Sequence, residues 1–415
     1  MINVGHNYQL MTHEQPYGLK SRGASLDWQK TQDWKQHKVV DVLTGGVAML
    51  LKKNHVKVIR GSATFTDNEQ INVVEEDSHE LFNFKNIIIA TGSHPVQIPS
   101  IPFGKRILDS TGALALKEIP KSLIVIGGGV IGFEIGSAYQ NLGAKVTIIE
   151  GLDHVLNGFD AELIKPVIDD FKAKGGQIYT SAQANSAKQD DKEVSVEFQS
   201  AGENKTISAD YLLVSVGRRP NTDQLGLNNT DIQLDDHHFI KTDLSQKTNV
   251  AHIYAIGDVT SGPGLAHKAS FQAKIAAAAI AQAENAVDMH YSLPSVAYTD
   301  PELATTGETP TSVAEKKLAA KVFKFPFAAN GRALAIDQAK GFVRVIVDDK
   351  SQAVIGAQIV GPQASELISQ LSLAIENGLT VDDISLTIYP HPTLSESIMD
   401  LSELAKGFQL ICEVI

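Results

Sequence analysis

These 415 residues contain one cysteine, Cys412, set in the apolar tail "ICEVI". A single thiol excludes any disulfide within the chain, and with it an internal dithiol as a redox device; a buried or idle cysteine is expected there. No cluster of His, Cys, Asp and Glu suggests a metal, and no G-x-S-x-G marks a nucleophilic serine. No apolar run approaches the ~18 residues that a membrane helix needs. The opening "MINVGHNYQL" also lacks the basic region and apolar core of a secretory leader, so a cytoplasmic protein is expected. Basic blocks are missing too. With 36 Lys and Arg against 48 Asp and Glu the formal net charge is −12, which disfavours nucleic acid and anionic membranes as partners. What remains is ordinary for a globular chain, 43% hydrophobic and 20% charged, and long enough for about two to four domains.

Apolar positions at Trp34, Val39, Val42, Leu43, Val47, Leu50 and Leu51 recur at close to a helical period, predicting a long amphipathic helix over 27–53 that Gly45-Gly46 could bend. Short alternating runs follow in "VKVIRGSATF" and "INVVEE". The continuous apolar run "NIIIATGS" then reads as a buried parallel strand ending in a turn. Residues 123–149 spell strand, glycine loop, helix and strand, a complete βαβ unit, and "DAELIKPVIDDFKAKG" adds a helix. "NIIIATGS", "YLLVSVGR" and "HIYAIGDV" share one plan, a buried strand ahead of a small residue and glycine, which implies two nucleotide domains, one nested in the other. From about residue 290 the texture changes to that of a separate α+β domain.

"VIGGGVIGFE" places G-x-G-x-x-G at Gly127, Gly129 and Gly132 directly after a strand and at the start of a helix, with Gly128, Val130 and Ile131 completing the loop. The first glycine permits a tight turn and the second lets backbone approach a diphosphate. The third packs helix on strand, and the helix end supplies positive potential. Glu150 ends the next strand, where a carboxylate accepts both ribose hydroxyls of an adenosine, and no cation follows for a 2′-phosphate. NAD is therefore expected over NADP. "AIGDV" supplies Gly257 and Asp258 ahead of an alanine-rich helix; an acid there can hold polyol hydroxyls, although alone it reads equally as a turn or cap. In "IYPHPTLSES", Pro390 and Pro392 stiffen the backbone around His391, so the imidazole is rigidly presented. Glu396 fits two roles: it closes a capping box with Thr393, and it can orient the His391 ring for proton transfer.

Taken in order, "NIIIATGS", "GGGVIGFEIG" with Glu150, "VGRRPN", "TNVAHIYAIGDV", "LAHKA", "AYTDPELATTG" and "HPTLSE" make the chain resemble the pyridine nucleotide–disulfide oxidoreductases, the dihydrolipoamide dehydrogenases most closely. The resemblance covers essentially the whole chain. It implies an α/β fold of two nested Rossmann-like nucleotide-binding domains plus a C-terminal α+β dimerisation domain. The FAD domain would span 1–120 and 250–288, the NAD domain 121–249, and the dimerisation domain 289–415. It implies that Gly92, Gly257, Asp258 and Ala266 line FAD, and that the Gly127–Gly132 loop, Glu150 and Gly217 line NAD. Glu134 would approach a flavin-adjacent lysine. His391, supported by Glu396, would be the acid-base at a redox-active disulfide, contributed across a homodimer interface, with a cis His391–Pro392 bond and lipoyl domains of 2-oxoacid dehydrogenase complexes as further partners.

Members of the family begin with a FAD strand, glycine loop and helix, then a C-x4-C helix. Met1 aligns just beyond that helix, so a segment on the order of fifty residues, somewhat more than a βαβ unit, has no counterpart here. The expectation is an incomplete FAD domain with exposed apolar sheet and an unpaired edge, flavin weakly held, and little dihydrolipoamide oxidation. The alternatives are an NADH diaphorase and a non-catalytic NAD-binding dimer.

Overall fold

The computed structural model describes residues 1–13, 17–19, 23–75, 78–283, 287 and 292–408, so Cys412 lies outside the described residues. It divides into two compact units. One comprises Met1–Gln29, Gln97–Val216 and His290–Ile415; the other comprises Lys30–Val96 and Gly217–Met289.

The first unit holds a five-stranded sheet in which Ile107–Leu108, Tyr211–Val214, Ser122–Ile126, Lys145–Ile149 and Gln177–Tyr179 lie side by side, all parallel. After Ser122 its middle strand runs Leu, Ile, Val, Ile without a polar residue because both faces are covered: Leu123, Ile124, Val125 and Ile126 are all buried. The Val130–Asn141 helix is the crossover between two of these strands, and Phe133 on it packs against Phe171 of the Ala161–Ala173 helix, ring centroids 5.1 Å apart. An antiparallel layer of Gln183–Gln189, Val194–Ser200 and Glu203–Ala209 contributes Val194, Val196 and Phe198 to the core beneath.

The same unit carries an antiparallel five-stranded sheet of Ser295–Ala297, Glu302–Gly307, Val354–Gly361, Phe342–Asp348 and Ala320–Pro326, in that order. The Ala364–Glu376 helix buries Leu367, Ile368, Leu371, Ala374 and Ile375, a helical-period stripe that joins the core of this sheet. This is the separate α+β domain expected from about residue 290. An N-terminal helix, Ile2–Thr12, was not anticipated. It is tied down by His6, whose Nδ1 lies 3.4 Å from Asp300 Oδ2; Asn141 and Lys174 donate to the same oxygen at 3.2 and 3.1 Å.

In the second unit, Ser62–Phe65, Gln70–Glu75 and Ser78–Asn83 form an antiparallel sheet. Ile87–Ile89 pairs in parallel with Ile253–Ala255, and Ser93–Pro95 pairs antiparallel with Arg218–Pro220. Among the described residues the Ile87–Ile89 sheet has these two strands. Phe65, Ile89, Leu227, Ile232, Ile240, Ile253 and Val259 share one core. Ile107–Leu108 extends the parallel sheet of the first unit, while Leu227, Ile232 and Ile240 bury their side chains in the second.

The amphipathic helix over 27–53 is present as Trp28–Trp34, Lys35–Val40 and Asp41–Lys53 in succession. The departure from regular α-helix is a π-helical stretch at Lys35–Val40; Gly45 and Gly46 sit inside ordinary helix. Its apolar stripe is not core: Trp34, Val42, Leu43, Val47 and Leu50 are all more than half exposed.

Candidate active site

The glycine loop in the first unit is shaped by contact as much as by conformation. Gly127 has φ +94, and a Cβ there would stand 2.5 Å from the Ser215 carbonyl oxygen. A Cβ on Gly132 would overlap the Gly127 carbonyl oxygen and come within 2.5 Å of Ser215 Oγ, the same hydroxyl that donates to Gly127 O at 2.9 Å. Gly129 differs. It is the N-cap of the Val130–Asn141 helix, no side chain caps that end, and a Cβ on Gly129 would meet nothing within 4 Å. The first turn of a helix has N–H groups without intrahelical acceptors. Here they belong to Val130, Ile131 and Gly132, and with open space beside Gly129 the residues present fit a diphosphate.

Glu150 continues the Lys145–Ile149 strand and is pinned by backbone. Its Oε2 accepts from Gly128 N at 2.6 Å and its Oε1 from Leu152 N at 2.9 Å. Each oxygen keeps a lone pair for a ligand hydroxyl. Glu134, one turn into the loop's helix, accepts from the Tyr298 backbone N–H at 2.7 Å, and burial pushes its carboxyl up from the ordinary value despite that bond.

In the second unit, Gly92 and Gly257 have φ +72 and +73, each turning the chain after a strand of the two-stranded sheet. Asp258 follows, its Oδ2 accepting from Ser93 Oγ at 2.6 Å. Arg218 reaches Ser93 twice, donating from Nε to Oγ at 2.7 Å and from its terminal nitrogen to the Ser93 carbonyl at 2.6 Å. Asp258 Oδ1 is left for a ligand. Ala266 is the first residue of the Ala266–Ile280 helix, and Gly217, at φ +130, accepts from Val96 N at 3.0 Å. Ser93 and Arg218 were not singled out as site residues, although "ATGS" and "VGRRPN" contain them. Their pairing spans 125 positions and cannot be read from spacing.

His391 sits on the connection leading into the Glu396–Ala405 helix, and the His391–Pro392 peptide is cis, as the family resemblance implies. The imidazole is 80% exposed. Its Nδ1 lies 2.9 Å from Glu396 Oε1, while Glu396 Oε2 accepts from Thr393 N at 2.7 Å. An ionised carboxylate only accepts, so Nδ1 carries the proton and Nε2 presents its lone pair to solvent. The expected capping box is only half formed: Glu396 reaches back to Thr393 N, but the Thr393 hydroxyl donates instead to the Pro390 carbonyl at 2.8 Å. That bond tightens the turn carrying His391 at the expense of the cap.

The family model for pyridine nucleotide-disulphide oxidoreductases matches residues 3–273, and the model for the dimerisation domain of the same family matches 293–402. The chain belongs to the pyridine nucleotide-disulphide oxidoreductases, a class that works with FAD and NAD(H). Within that class it is of the dihydrolipoyl dehydrogenase type. It is 48% identical over 408 residues to dihydrolipoyl dehydrogenase of Bacillus subtilis, covering 98% of this chain and 86% of that one. It is also 47% identical over 410 residues to that of Staphylococcus aureus, covering 99% and 87%. Among solved structures, LpdA from Mycobacterium tuberculosis superposes with a TM-score of 0.90 at 26% identity, covering 97% of this chain and 88% of the other. The HOCl-induced flavoprotein disulfide reductase RclA of Escherichia coli gives 0.85 at 27%, with the same coverage. Among the described residues no helix is long and apolar enough to cross a membrane.

Proposed function

We propose that the chain serves an NAD-dependent dihydrolipoyl dehydrogenase reaction, in which a dithiol gives two electrons and two protons, and NAD leaves as NADH with one proton released. The observation that carries this is the His391–Glu396 pair: a rigid, exposed imidazole whose Nε2 is directed outward by a carboxylate on Nδ1. Nε2 takes the proton of a thiol, and the thiolate then attacks a disulfide sulfur. FAD supplies the two-electron carrier between the dithiol and the nicotinamide. Gly92, Gly257, Asp258 and the start of the Ala266–Ile280 helix would hold it. The Gly127–Gly132 loop would take the NAD diphosphate and Glu150 its adenosine ribose, and the family resemblance assigns Glu134 and Gly217 to cofactor binding as well. The cysteine pair that His391 would serve is not among these 415 residues, since Cys412 is alone.

By the same reading, FAD-binding segments lie in 1–120 and 250–288, NAD-binding segments in 121–249, and the dimerisation domain spans 289–415, of which the family model matches 293–402. Leu386 and Ile388, 79% and 96% exposed and a few residues before His391, suit burial by a second copy. Lipoyl domains of 2-oxoacid dehydrogenase complexes are the proposed further partners, and the cytoplasm the proposed location. The relatives do not favour the diaphorase and non-catalytic alternatives. The test is His391→Gln in a chain supplied with a C-x4-C segment. Lipoamide-dependent NADH formation should fall by about 100-fold or more, while NADH-dependent dye reduction, which needs no thiol deprotonation, stays near the parent rate. Loss of both, or of neither, contradicts the assignment.

A further inference from the structure

Lys268 and Gln272 lie one turn apart on the same face of the Ala266–Ile280 helix, and each is 93% buried. Both are spent on the loop that carries Asp258. Gln272 Oε1 accepts from Gly257 N at 2.7 Å and its Nε2 reaches Thr260 Oγ1 at 3.5 Å, while Thr260 closes back on the Gly257 carbonyl through its N–H and hydroxyl at 3.0 and 2.8 Å. Lys268 Nζ donates to the Ser261 carbonyl at 2.7 Å. The two glycines that follow leave the space these groups need. A Cβ on Gly262 would stand 3.4 Å from Lys268 Nζ, and one on Gly264 3.2 Å from the Asp258 carboxylate.

A buried ammonium is costly unless it is compensated, and a methionine would fill the same volume without that cost. Burial does push the Lys268 pKa down, and the group that pulls it back up is Asp258. We propose that Lys268 is a positioning residue of the flavin site: its ammonium ties down the Ser261 carbonyl in the loop that carries Asp258, fixing the orientation in which that carboxylate meets the cofactor's polyol. Gln272 anchors the other end of the loop. The proposal rests on the reading of Asp258 as a flavin ligand and adds the device that holds it.

Two measurements on the full chain separate the device from the reading. Amide hydrogen exchange over 257–264, followed by mass spectrometry without cofactor, should quicken about tenfold in Lys268→Met and much less in Lys268→Arg, the size expected for losing a charge-assisted hydrogen bond. FAD titration followed by fluorescence quenching should show about tenfold weaker binding in Lys268→Met, with recovery in Lys268→Arg. Asp258→Asn should cost less in the Lys268→Met background than in the parent chain. If Lys268→Met fails to fold, Lys268→Gln, which keeps a donor without the charge, takes its place and should still lose affinity. Unchanged exchange with affinity within twofold overturns the proposal. So does equal loss in Met and Arg variants with faster exchange across the whole unit, because that marks packing alone. Faster loop exchange in Lys268→Met, together with a parent chain that binds no FAD, supports the clamp and overturns the flavin reading.

Discussion

Both oxygens of Glu150 are already held by backbone N–H groups, so the carboxylate is fixed before any nucleotide arrives and does not swing to suit a 2′-phosphate. NAD(H) should therefore bind and NADP(H) bind much more weakly, as isothermal titration with both nucleotides would read; equal affinities would remove Glu150 from the site. Glu150→Arg should turn the preference toward NADP, since the guanidinium pairs with phosphate. Asp400, one turn beyond Glu396, tests a different property. Burial, followed by the neighbouring Glu403 and Glu396, pushes its carboxyl up to about 6. A raised acid favours the folded chain in its protonated form. Stability is thus fully present below the unfolded value of ~3.9 and lost as pH rises through about 6. Asp400→Asn should leave the Tm at pH 4 nearly unchanged and raise it at pH 8. An equal shift at both pH values would show that the charge is not the cause.

Within the glycine loop, two glycines separated by one turn should respond in opposite ways to the same substitution. Gly132→Ala drives a methyl into the Gly127 carbonyl and should destabilise the chain by roughly 2 kcal/mol or more. Gly129→Ala meets open space in an extended backbone at φ −66, which any residue adopts, so it should change stability by no more than about 0.5 kcal/mol. It should nevertheless weaken NAD binding by about tenfold or more, because the methyl occupies the diphosphate's approach. Paired thermal melts and NAD titrations read both effects; a Gly129→Ala chain that binds NAD normally would contradict the placement of the diphosphate. This βαβ unit was legible in the sequence because strand, turn and helix follow within 27 residues and the glycine spacing is local, although Ser215, which crowds Gly127 and Gly132, lies far along the chain. The Ile2–Thr12 helix was not, since its amphipathic signal is weak and it is held by distant Asp300. The Asp258–Ser93–Arg218 chain and the clamp from Lys268 were likewise hidden, the first by long separation and the second because a buried lysine has no periodic signature. The 27–53 helix was predicted from its apolar stripe, yet that stripe faces solvent here, so periodicity revealed the helix without revealing what covers it.

For the molecule as a whole, the C-terminal domain is a dimerisation domain by its family match, and it displays Leu373, Leu386 and Ile388 to solvent in the single chain. Sedimentation should give a dimer; a well-folded monomer at all concentrations would contradict the assignment of that face. On the role proposed for His391, dimerisation matters to the chemistry, because an imidazole 80% exposed on one chain gains a dry reaction site only when another surface closes over it. On the proposal above, these 415 residues hold the nucleotide sites and the acid-base of a dihydrolipoyl dehydrogenase and contain no cysteine pair. The most direct measurement is a paired assay of lipoamide-dependent NADH formation, with FAD and NAD present. One arm uses a polypeptide of these 415 residues and the other the same polypeptide extended with a C-x4-C segment. The account predicts turnover only in the extended chain and its loss on His391→Gln; comparable turnover by the 415 residues alone, or none in either, would contradict it.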